Sequence, residues 1–521
     1  MDRAKFKYIV NSTQAPDDQR LFVIRHDFSG GINTRQHASN LGDNQAEDLS
    51  NWDIGVMGEM RKRSGLSLVE DVGTTTGTGA FGFEPDGGTP ELLITHSTKL
   101  EGWVGSGSFV EHKTNFTTGL LTTMFKAGES GEGDVVFVGN GTDNWFRMNQ
   151  SHTMQDLGNT AGTGSDSPPK STVGTYYRNR VWVLKSNLLY WSDAFPADYS
   201  SAFDTVSNNF RIPVGTERAI LGLRDTGLVV IGADQVWGIN PSATPTATDL
   251  PEKILDIGCV CGNTVAQVGD DIYFLAKDGV RAVFRSQQDK LQLGVSYPLS
   301  YPLKDEYNTI SWGYISKANA VYWDNKYFLS LPVNSSSYNN QVWVYYPAQQ
   351  AWTIFDDWNI AAFSKITISG EERLYAIDST DAKIYRVLDS TTDNSTAVSA
   401  TFIGKEENFG QPLVEKNGGE IEIEADVAGS GDSLSVSVSL DGQSFQSLGT
   451  VDLTSSTAPT LPVALPFSLS DSYIVRKKFH LDTLGSFRTI QIKFTNTDTN
   501  TDPIVVYGYN IITFAEEYEN E

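Results

Sequence analysis

The sequence predicts an all-β protein, and three observations lead to that prediction. Aromatic residues make up 11% of the 521 residues and glycine is abundant at 47. Aromatic side chains favour pleated sheets, and glycine favours the turns between strands. Short apolar runs followed by polar turns recur along residues 76–395, whereas residues 396–521 alternate apolar and polar residues more regularly. We therefore divide the chain into an N-terminal segment (1–75) with one short helix, a propeller-like domain (76–395) and a C-terminal β-sandwich (396–521).

The propeller-like domain is predicted from the regular spacing of its hairpins. The Lys277-Asp278-Gly279 turn between Phe274 and Val280 is the clearest example. Such hairpins recur roughly every 35–50 residues, which is the size of a four-stranded propeller blade. The spacing predicts an irregular β-propeller of six or seven blades, and a large sandwich or two stacked sandwiches would use the same hairpins. The candidate blades are 79–112, 119–157, 173–214, 219–258, 262–297, 315–357 and 360–390.

Two polar loops interrupt this pattern, at 159–171 and 195–209. The first, rich in Gly, Ser and Pro, predicts a flexible connector. The second predicts a polar surface excursion. Both loops are candidates for contacts with a neighbouring subunit or for gating.

The C-terminal domain is predicted to be a sandwich of antiparallel sheets. Glu420–Val427 alternates isoleucine with acidic residues, and Ser433–Leu440 alternates serine with valine or leucine. Such alternation is typical of a sheet with one buried face. Asp441-Gly442 predicts a tight hairpin turn after the second run. A jelly-roll-like sandwich of about 100 residues fits these signals.

The N-terminal segment carries a turn, a predicted helix and a basic cluster. Gly30-Gly31 permits a tight turn with positive φ. Asp43 is placed to cap a short helix ending at Asn51, with apolar residues spaced along one face. Arg61-Lys62-Arg63 could bind an acidic surface or a nucleic-acid backbone, and a solvated basic turn is the alternative.

Composition limits the classes of function. The formal net charge of −25 argues against a protein whose overall field attracts nucleic acid, although an acidic wall would keep sliding DNA from adhering. Solubility alone also accounts for such a charge. No apolar run reaches the roughly 18 residues of a membrane span, and the first twenty residues lack the apolar core of a signal peptide. Cys259 and Cys261 are expected to be buried free thiols side by side on a strand in a reducing compartment.

No catalytic or metal-binding motif emerges. The histidines are far apart in the sequence, and neither H-E-x-x-H, G-x-S-x-G nor a Walker A loop is present. Short acidic runs at 378–383 and 496–502 do not have the spacing of an EF-hand. We therefore expect no enzyme activity, no cofactor and no metal site. The six histidines are His26, His37, His96, His112, His152 and His480.

The N-terminal segment resembles the tail nozzle proteins of short-tailed double-stranded DNA bacteriophages, also called tubular tail or packaged-DNA stabilisation proteins. The resemblance continues in order through L-Y-W-S (189–192), I-P-V-G (212–215) and F-L-x-x-D-G-V (274–280), and covers roughly residues 26–390. The residues that carry the N-terminal pattern are Phe28, Gly30, Gly31, Asn33, Thr34, Leu41, Asn44, Ala46, Leu49, Asn51, Gly58, Arg61, Lys62, Arg63 and Gly65.

This resemblance implies a structural protein of the virion tail, synthesised in the bacterial host cytoplasm. It implies a homo-oligomeric ring, six-fold in such proteins, that contacts a tail adaptor on the portal side and tail fibres or plug proteins. Viral double-stranded DNA would be retained above the ring and would pass through its channel without sequence-specific binding. Arg61, Lys62, Arg63, Gly30, Gly31 and Asn33 are the predicted interface residues. The alternatives are a receptor- or carbohydrate-binding tail propeller and a distal tail or baseplate protein of a long-tailed phage.

Overall fold

The computed structural model describes residues 20–73, 75–223, 227–246, 249–293, 296–428, 431–454, 474–498 and 503–515. Strands dominate these residues, as predicted. They form a seven-bladed β-propeller and a C-terminal pair of facing sheets, which are joined through strands of the N-terminal segment.

Four blades consist of four antiparallel strands that follow one another in the sequence. Blade 1 contains Gly77–Phe83, Glu91–His96, Lys99–Trp103 and Val110–Lys113. Blade 2 contains Thr123–Glu129, Gly133–Gly139, Phe146–Asn149 and Met154–Asp156. Blade 3 contains Gly174–Tyr177, Arg180–Lys185, Leu188–Trp191 and Asn209–Arg211. Blade 4 contains Glu217–Leu223, Gly227–Gly232, Val236–Ile239 and Glu252–Leu255.

The remaining three blades depart from this plan. Blade 5 has three strands, Ala266–Val268, Asp271–Ala276 and Gly279–Ala282. Blade 6 contains Asn319–Trp323, Lys326–Leu331, Gln341–Tyr346 and Ala351–Asp356, and its sheet continues beyond the propeller. Blade 7 contains Ile360–Ile368, Glu371–Asp378 and Lys383–Ser390, and its fourth strand is Gly65–Asp71 from the N-terminal segment.

The N-terminal strand Gly65–Asp71 closes the propeller, because it completes the last blade immediately before the chain enters the first. The first strands of blades 7 and 1 also pack beside each other. In a closed propeller each blade is covered by its neighbours, and the strand edges that remain are short and protected. The strand lies inside the segment that the sequence analysis set apart from the propeller, because nothing local to it reveals a partner more than 300 residues away.

Each inter-blade boundary is filled by apolar side chains from both neighbours. The strand Gly133–Gly139 sends Val136 and Val138 towards blade 1, and Val135 and Phe137 towards blade 3. Successive side chains of a strand point to opposite faces, so a strand buried on both faces is apolar throughout. Leu92 and Ile94 of blade 1 pack against blade 7 in the same way. The predicted propeller is thus confirmed, and its blade count is seven.

Two α-helices lie in the connection between blades 5 and 6, where the sequence analysis expected only strands and turns. They span Val283–Leu293 and Lys304–Thr309, and a 3₁₀ helix follows at Trp312–Lys317. The first helix packs against blades 4 and 5 and stands beside the three strands of blade 5. Its exposed residues include Leu291 as well as polar residues such as Gln287, which obscures its periodicity in the sequence.

The C-terminal domain consists of two facing sheets. One contains Ala400–Glu407, Ser433–Leu440, Gln446–Asp452 and Ile490–Asn496. The other contains Lys416–Asp426, Ile474–His480 and Val505–Ala515, together with Arg20–Arg25, Trp52–Ile54 and Met60–Lys62 from the N-terminal segment. Phe402 and Phe494 of the first sheet meet Tyr509 of the second at ring-centroid distances of 6.3 and 5.8 Å. Positive φ values at Asp441 and Gly442 form the predicted hairpin turn. The jelly-roll order stays a prediction, since residues 455–473 lie outside the described ones.

The helix predicted from Asp43 to Asn51 is wrong. Those residues form the short strands Gln45–Ala46 and Asp48–Ser50, and the short helix of this segment is a 3₁₀ turn at Ala38–Asn40. The backbone N–H of Glu47 donates to Ile403 O at 2.8 Å, and that of Asn51 donates to Ile354 O at 2.7 Å. Pairing with strands distant in the sequence therefore outweighs the local spacing that favoured a helix.

The loop 159–171 is tied down rather than a flexible connector. Asp166 is fully buried and pairs through its backbone with Phe203 of the second polar loop. Its carboxylate accepts hydrogen bonds from the Thr205 and Thr163 backbone N–H groups, at 3.0 and 2.8 Å. The two polar loops consequently brace one another on the outside of blade 3.

The cysteines are free and buried as predicted, but they do not lie side by side on a strand. Cys259 packs between blades 4 and 5, whereas Cys261 belongs to the core shared with blade 6. Burial raises the pKa of the Cys259 thiol to about 12 and that of Cys261 to about 11.

Candidate functional site

The N-terminal motif residues converge on the junction between propeller and sandwich, which we call the joint. The joint comprises Gly30–Asn33, Asp48–Arg63 and the strands they pair with. Its central element is Ser50, which pairs with Ile354 of blade 6 on one side and Thr401 of the sandwich on the other. This pairing makes one continuous nine-stranded sheet out of blade 6 and half of the sandwich.

The two predicted glycines are required by close backbone approach. Gly31 has φ +62°, and a Cβ on it would lie 2.5 Å from Trp352 O and 2.8 Å from Trp352 N. A side chain is therefore excluded both by conformation and by blade 6. The Gly30 backbone N–H donates to Asn44 O at 3.0 Å. Both glycines thus allow the N-terminal segment to pack closely against other backbone, Gly30 against Asn44 and Gly31 against Trp352.

Asn33 and Asn51 hold the joint by hydrogen bonds. Buried Asn33 donates from Nδ2 to Gln45 Oε1 at 2.9 Å. Asn51 has φ +60° and is also buried. Its Oδ1 accepts hydrogen bonds from Arg63 Nε at 2.7 Å and from the Asp356 backbone N–H at 2.9 Å, while its Nδ2 donates to Ser399 O at 2.6 Å. One amide thereby links the N-terminal segment, blade 6 and the start of the sandwich.

The three residues of the basic cluster lie in different environments. Arg61 is exposed on the strand Met60–Lys62, whereas Lys62 and Arg63 are 2% exposed. Lys62 Nζ donates to Asn496 Oδ1 and to Asp498 O. Burial lowers the pKa of Lys62 to about 8, against the opposing effect of Asp498 and Asp432. The interface role of the cluster stays a prediction, and Arg61 is the member whose charge reaches solvent.

Arg63 is enclosed by the joint. Its guanidinium forms a two-point ion pair with the Asp393 carboxylate, at 3.0 and 2.7 Å, and its Nη2 donates to Asp356 O at 3.1 Å. It also lies over the Trp358 ring at 4.6 Å, and Trp358 Nε1 donates to the same Asp393 at 3.0 Å. A planar guanidinium fits both the carboxylate and the aromatic face, which an ammonium group does not.

A small hairpin of the joint ends in an exposed apolar tip. The tip lies between Trp52–Ile54 and Met60–Lys62, and its Val56 and Met57 are 95% and 91% exposed. The hairpin is anchored at its base, where Asp53 accepts hydrogen bonds from Lys326 Nζ at 2.7 Å and Tyr346 OH at 2.5 Å. Two exposed apolar side chains therefore lie at the end of an anchored hairpin, and Arg61 is exposed nearer its base, where it pairs with Asp53.

The centre of the propeller contains a cavity of about 230 Å³ lined by residues from all seven blades. Its lining is mostly neutral, with threonine and asparagine side chains such as Thr78, Thr172 and Asn319, and Arg218 provides a positive charge. The cavity is thus of small-molecule size.

The connection between blades 5 and 6 presents two groups of exposed aromatic side chains. Tyr297 and Tyr301 have ring centroids 4.8 Å apart, and Arg35 stacks on Tyr301 at 3.5 Å. Trp312 and Tyr314 are exposed in the 3₁₀ helix of the same connection, and Tyr338 is exposed in a loop of blade 6; each of these five residues is more than a third exposed. Tyr345 and Tyr346 of blade 6, in contrast, are buried.

Comparison with known proteins does not assign the chain to a family. No protein-family model and no curated protein matches it. Among solved structures, a chain from the crystal structure of BBS1N in complex with ARL6DN, soaked with mercury, is 15% identical with a TM-score of 0.37, covering 64% of this chain and 100% of that one. A chain from the lead-soaked crystal of the same complex is 11% identical with a TM-score of 0.36, covering 64% of this chain and 98% of that one.

Among the residues that the structure describes, no helix combines the length and apolar content needed to cross a membrane.

Proposed function

We propose that this chain is a structural subunit of a phage tail that forms a nozzle ring below the portal and adaptor, retains packaged DNA and conducts it on ejection. The observation that carries the proposal is the convergence of the resembling N-terminal motif on the joint. Residues spread from Gly30 to Arg63 serve one purpose, which is to link the propeller and the sandwich through a continuous sheet. Because the motif residues hold two parts of the chain together, they support a structural role better than a ligand-binding role.

DNA would pass between copies of the chain rather than through the propeller. The major groove of a DNA duplex alone is about 12 Å wide, so a cavity of 230 Å³ does not admit a duplex. A ring of copies would enclose the channel, and closure of such a ring requires two different, complementary faces on each subunit. The net charge of −25 would repel phosphates and limit adhesion of DNA to the wall.

The hairpin tip is the best-placed part of the joint for a neighbouring subunit or adaptor. Val56 and Met57 offer apolar area, and Arg61 offers a positive charge on an otherwise acidic chain. Apolar centres with a polar rim are typical of subunit interfaces. The tip is also held rigidly by Asp53, so that little ordering would be needed on binding.

Charge reversal at Arg61 tests this proposal. We expect Arg61→Glu to prevent ring formation by the purified chain, alone or mixed with flanking tail proteins, in negative-stain electron microscopy. Lys477→Glu, on an exposed strand of the same sheet, is the matched control and should leave rings intact. Normal rings from Arg61→Glu, or equal loss with both variants, would contradict the role of the tip.

A receptor- or carbohydrate-binding role is the second candidate, and the exposed aromatics between blades 5 and 6 favour it. Exposed aromatic faces next to cations such as Arg35 suit stacking against sugar rings or partner side chains. A glycan array probed with the wild-type chain and with Trp312→Ala tests this role. Binding that Trp312→Ala abolishes would support it, and an array without signal would count against it.

A further inference from the structure

The histidines are far apart along the chain, so the sequence alone predicts no metal site. The fold brings two of them together with a carboxylate at the boundary of blades 1 and 2. His112 Nε2 lies 2.7 Å from Glu91 Oε1, and His152 Nε2 lies 3.0 Å from Glu91 Oε2. One ligand atom from each residue lies within 4.8 Å of the others, and the two imidazole rings are 4.6 Å apart.

Two strands of blade 1 position Glu91 and His112, and a turn of blade 2 positions His152. Glu91 begins the second strand of blade 1, and His112 lies on its fourth strand. His152 occupies the turn between the last two strands of blade 2, with φ +59°. Asn149 Oδ1 fixes that turn by accepting hydrogen bonds from the Ser151 and Thr153 backbone N–H groups, at 3.1 and 2.9 Å.

A further observation indicates a ligand site rather than a simple ion pair. Glu91 Oε2 is buried and accepts no well-aligned hydrogen bond, although His152 Nε2 is close. The backbone of Gly102 lies against the cluster, and a Cβ there would be 2.1 Å from Glu91 Oε1 and 2.5 Å from His112 Nε2. The absence of a side chain at Gly102 thus allows the carboxylate and the imidazole to occupy their positions.

We propose that Glu91, His112 and His152 bind a divalent transition-metal ion of the Zn²⁺ class, which clasps blades 1 and 2 together. Two neutral imidazoles and one carboxylate form an N₂O set with net charge −1, which suits Zn²⁺ better than Ca²⁺ or Mg²⁺. Tetrahedral bonds of about 2.0–2.1 Å place neighbouring donor atoms about 3.3 Å apart. The 2.7 Å distance from His112 to Glu91 would therefore widen by about 0.6 Å, and the 3.0 Å distance from His152 to Glu91 by about 0.3 Å. His152 is partly exposed, which leaves the fourth position open to water.

Isothermal titration of the full chain, stripped of metal by a chelator, tests the site with ZnCl₂, and CaCl₂ serves as the comparator. We expect one Zn²⁺ per chain and a higher melting temperature with Zn²⁺, with neither effect from Ca²⁺. His152→Gly keeps the positive φ of the turn but removes a ligand. It should weaken Zn²⁺ binding by more than about 100-fold, beyond the usual cost of losing an outer-shell partner.

His480→Ala, which removes an exposed histidine outside the cluster, is the matched control and should bind Zn²⁺ like the wild type. Gly102→Ala is a second test variant, since its methyl group would displace Glu91 and His112 and should also abolish binding. The proposal is overturned if the wild-type chain takes up no Zn²⁺, or if His152→Gly and the wild type bind it equally.

Discussion

The strongest prediction concerns Arg63. This residue is buried, whereas Arg61 of the same basic cluster is exposed, so variants of the two residues should differ in their effect on stability. We expect Arg63→Ala to lower the free energy of unfolding of the joint by about 3–5 kcal/mol, the usual cost of removing one partner of a buried ion pair. The side chain is fully buried, and Asp393 would retain only the hydrogen bond from Trp358 Nε1. Loss of the stacking contact with Trp358 adds to the effect.

Two variants calibrate this prediction. Arg63→Lys keeps the charge but cannot form the two-point pair with Asp393, so we expect a loss of about 1.5–3 kcal/mol, the value of a charge-assisted hydrogen bond. Arg61→Ala alters an exposed neighbour and should change stability by no more than about 0.5 kcal/mol.

Urea unfolding followed by tryptophan fluorescence measures these differences, because Trp358 adjoins Arg63. A chain of this size need not unfold in one step. The urea midpoints of the variants are therefore compared within the one transition that shifts with Arg63→Ala, provided that the slope of the free energy of unfolding against urea concentration is unchanged. Equal stability of Arg63→Ala and the wild type would refute the buried role of Arg63. A loss for Arg61→Ala as large as that for Arg63→Ala would refute the distinction between the two residues.

Three further predictions concern other parts of the chain. Gly31→Ala should destabilise the protein by about 2–5 kcal/mol in the same urea assay, through a positive φ and the clash with Trp352, whereas Gly313→Ala, which has open space around it, should be nearly neutral. The buried thiols Cys259 and Cys261 should resist iodoacetamide in the folded chain and react on unfolding, as mass spectrometry would detect; rapid labelling of the folded chain would contradict this. Burial raises the pKa of Glu129 from 4.5 to about 7 against the effect of Arg147, so the folded state binds the extra proton between these values and stability should fall as pH rises from 4.5 to 7. In Glu129→Gln the free energy of unfolding should depend less on pH, by a slope equivalent to up to about one proton. Urea midpoints from pH 5 to 8 that change identically in Glu129→Gln and the wild type would argue against this prediction.

Much of the propeller could be predicted from the sequence because its evidence is local. The middle strands, such as Gly133–Gly139 and Gly227–Gly232, are continuous apolar runs that end in turn residues. Apart from the N-terminal strand of blade 7, each blade is a set of hairpins between neighbours in the sequence, so hairpin spacing predicts the repeat. The C-terminal strands were predictable for a related reason, since one buried face produces a strict alternation.

The joint could not be predicted, because its partners are far apart in the chain. Gly65–Asp71 completes a blade whose other strands begin at Ile360, and Ser50 pairs with both Ile354 and Thr401. Local spacing around Ala46 favoured a helix, and this preference was overridden by tertiary pairing. The charges of Lys62 and Arg63 likewise gave no sign of the Asp498 carbonyl and the Asp393 carboxylate that accept their hydrogen bonds.

The candidate metal site escaped the sequence for the same reason. Its residues come from two blades and are not arranged in a short motif, and only the packing of blade 1 on blade 2 brings them together. In other chains with this hairpin spacing, the histidines that lie between blades should therefore be checked for nearby carboxylates once a structure is known.

Electron cryomicroscopy of the assembled particle that contains this chain tests the central claim most directly. The proposal predicts a closed ring of copies around a DNA-sized channel at the lower end of a tail, with the hairpin tip of Val56 and Met57 at a subunit or adaptor contact. A chain found singly on a fibre or spike, with that tip in solvent, would contradict the nozzle and favour receptor binding.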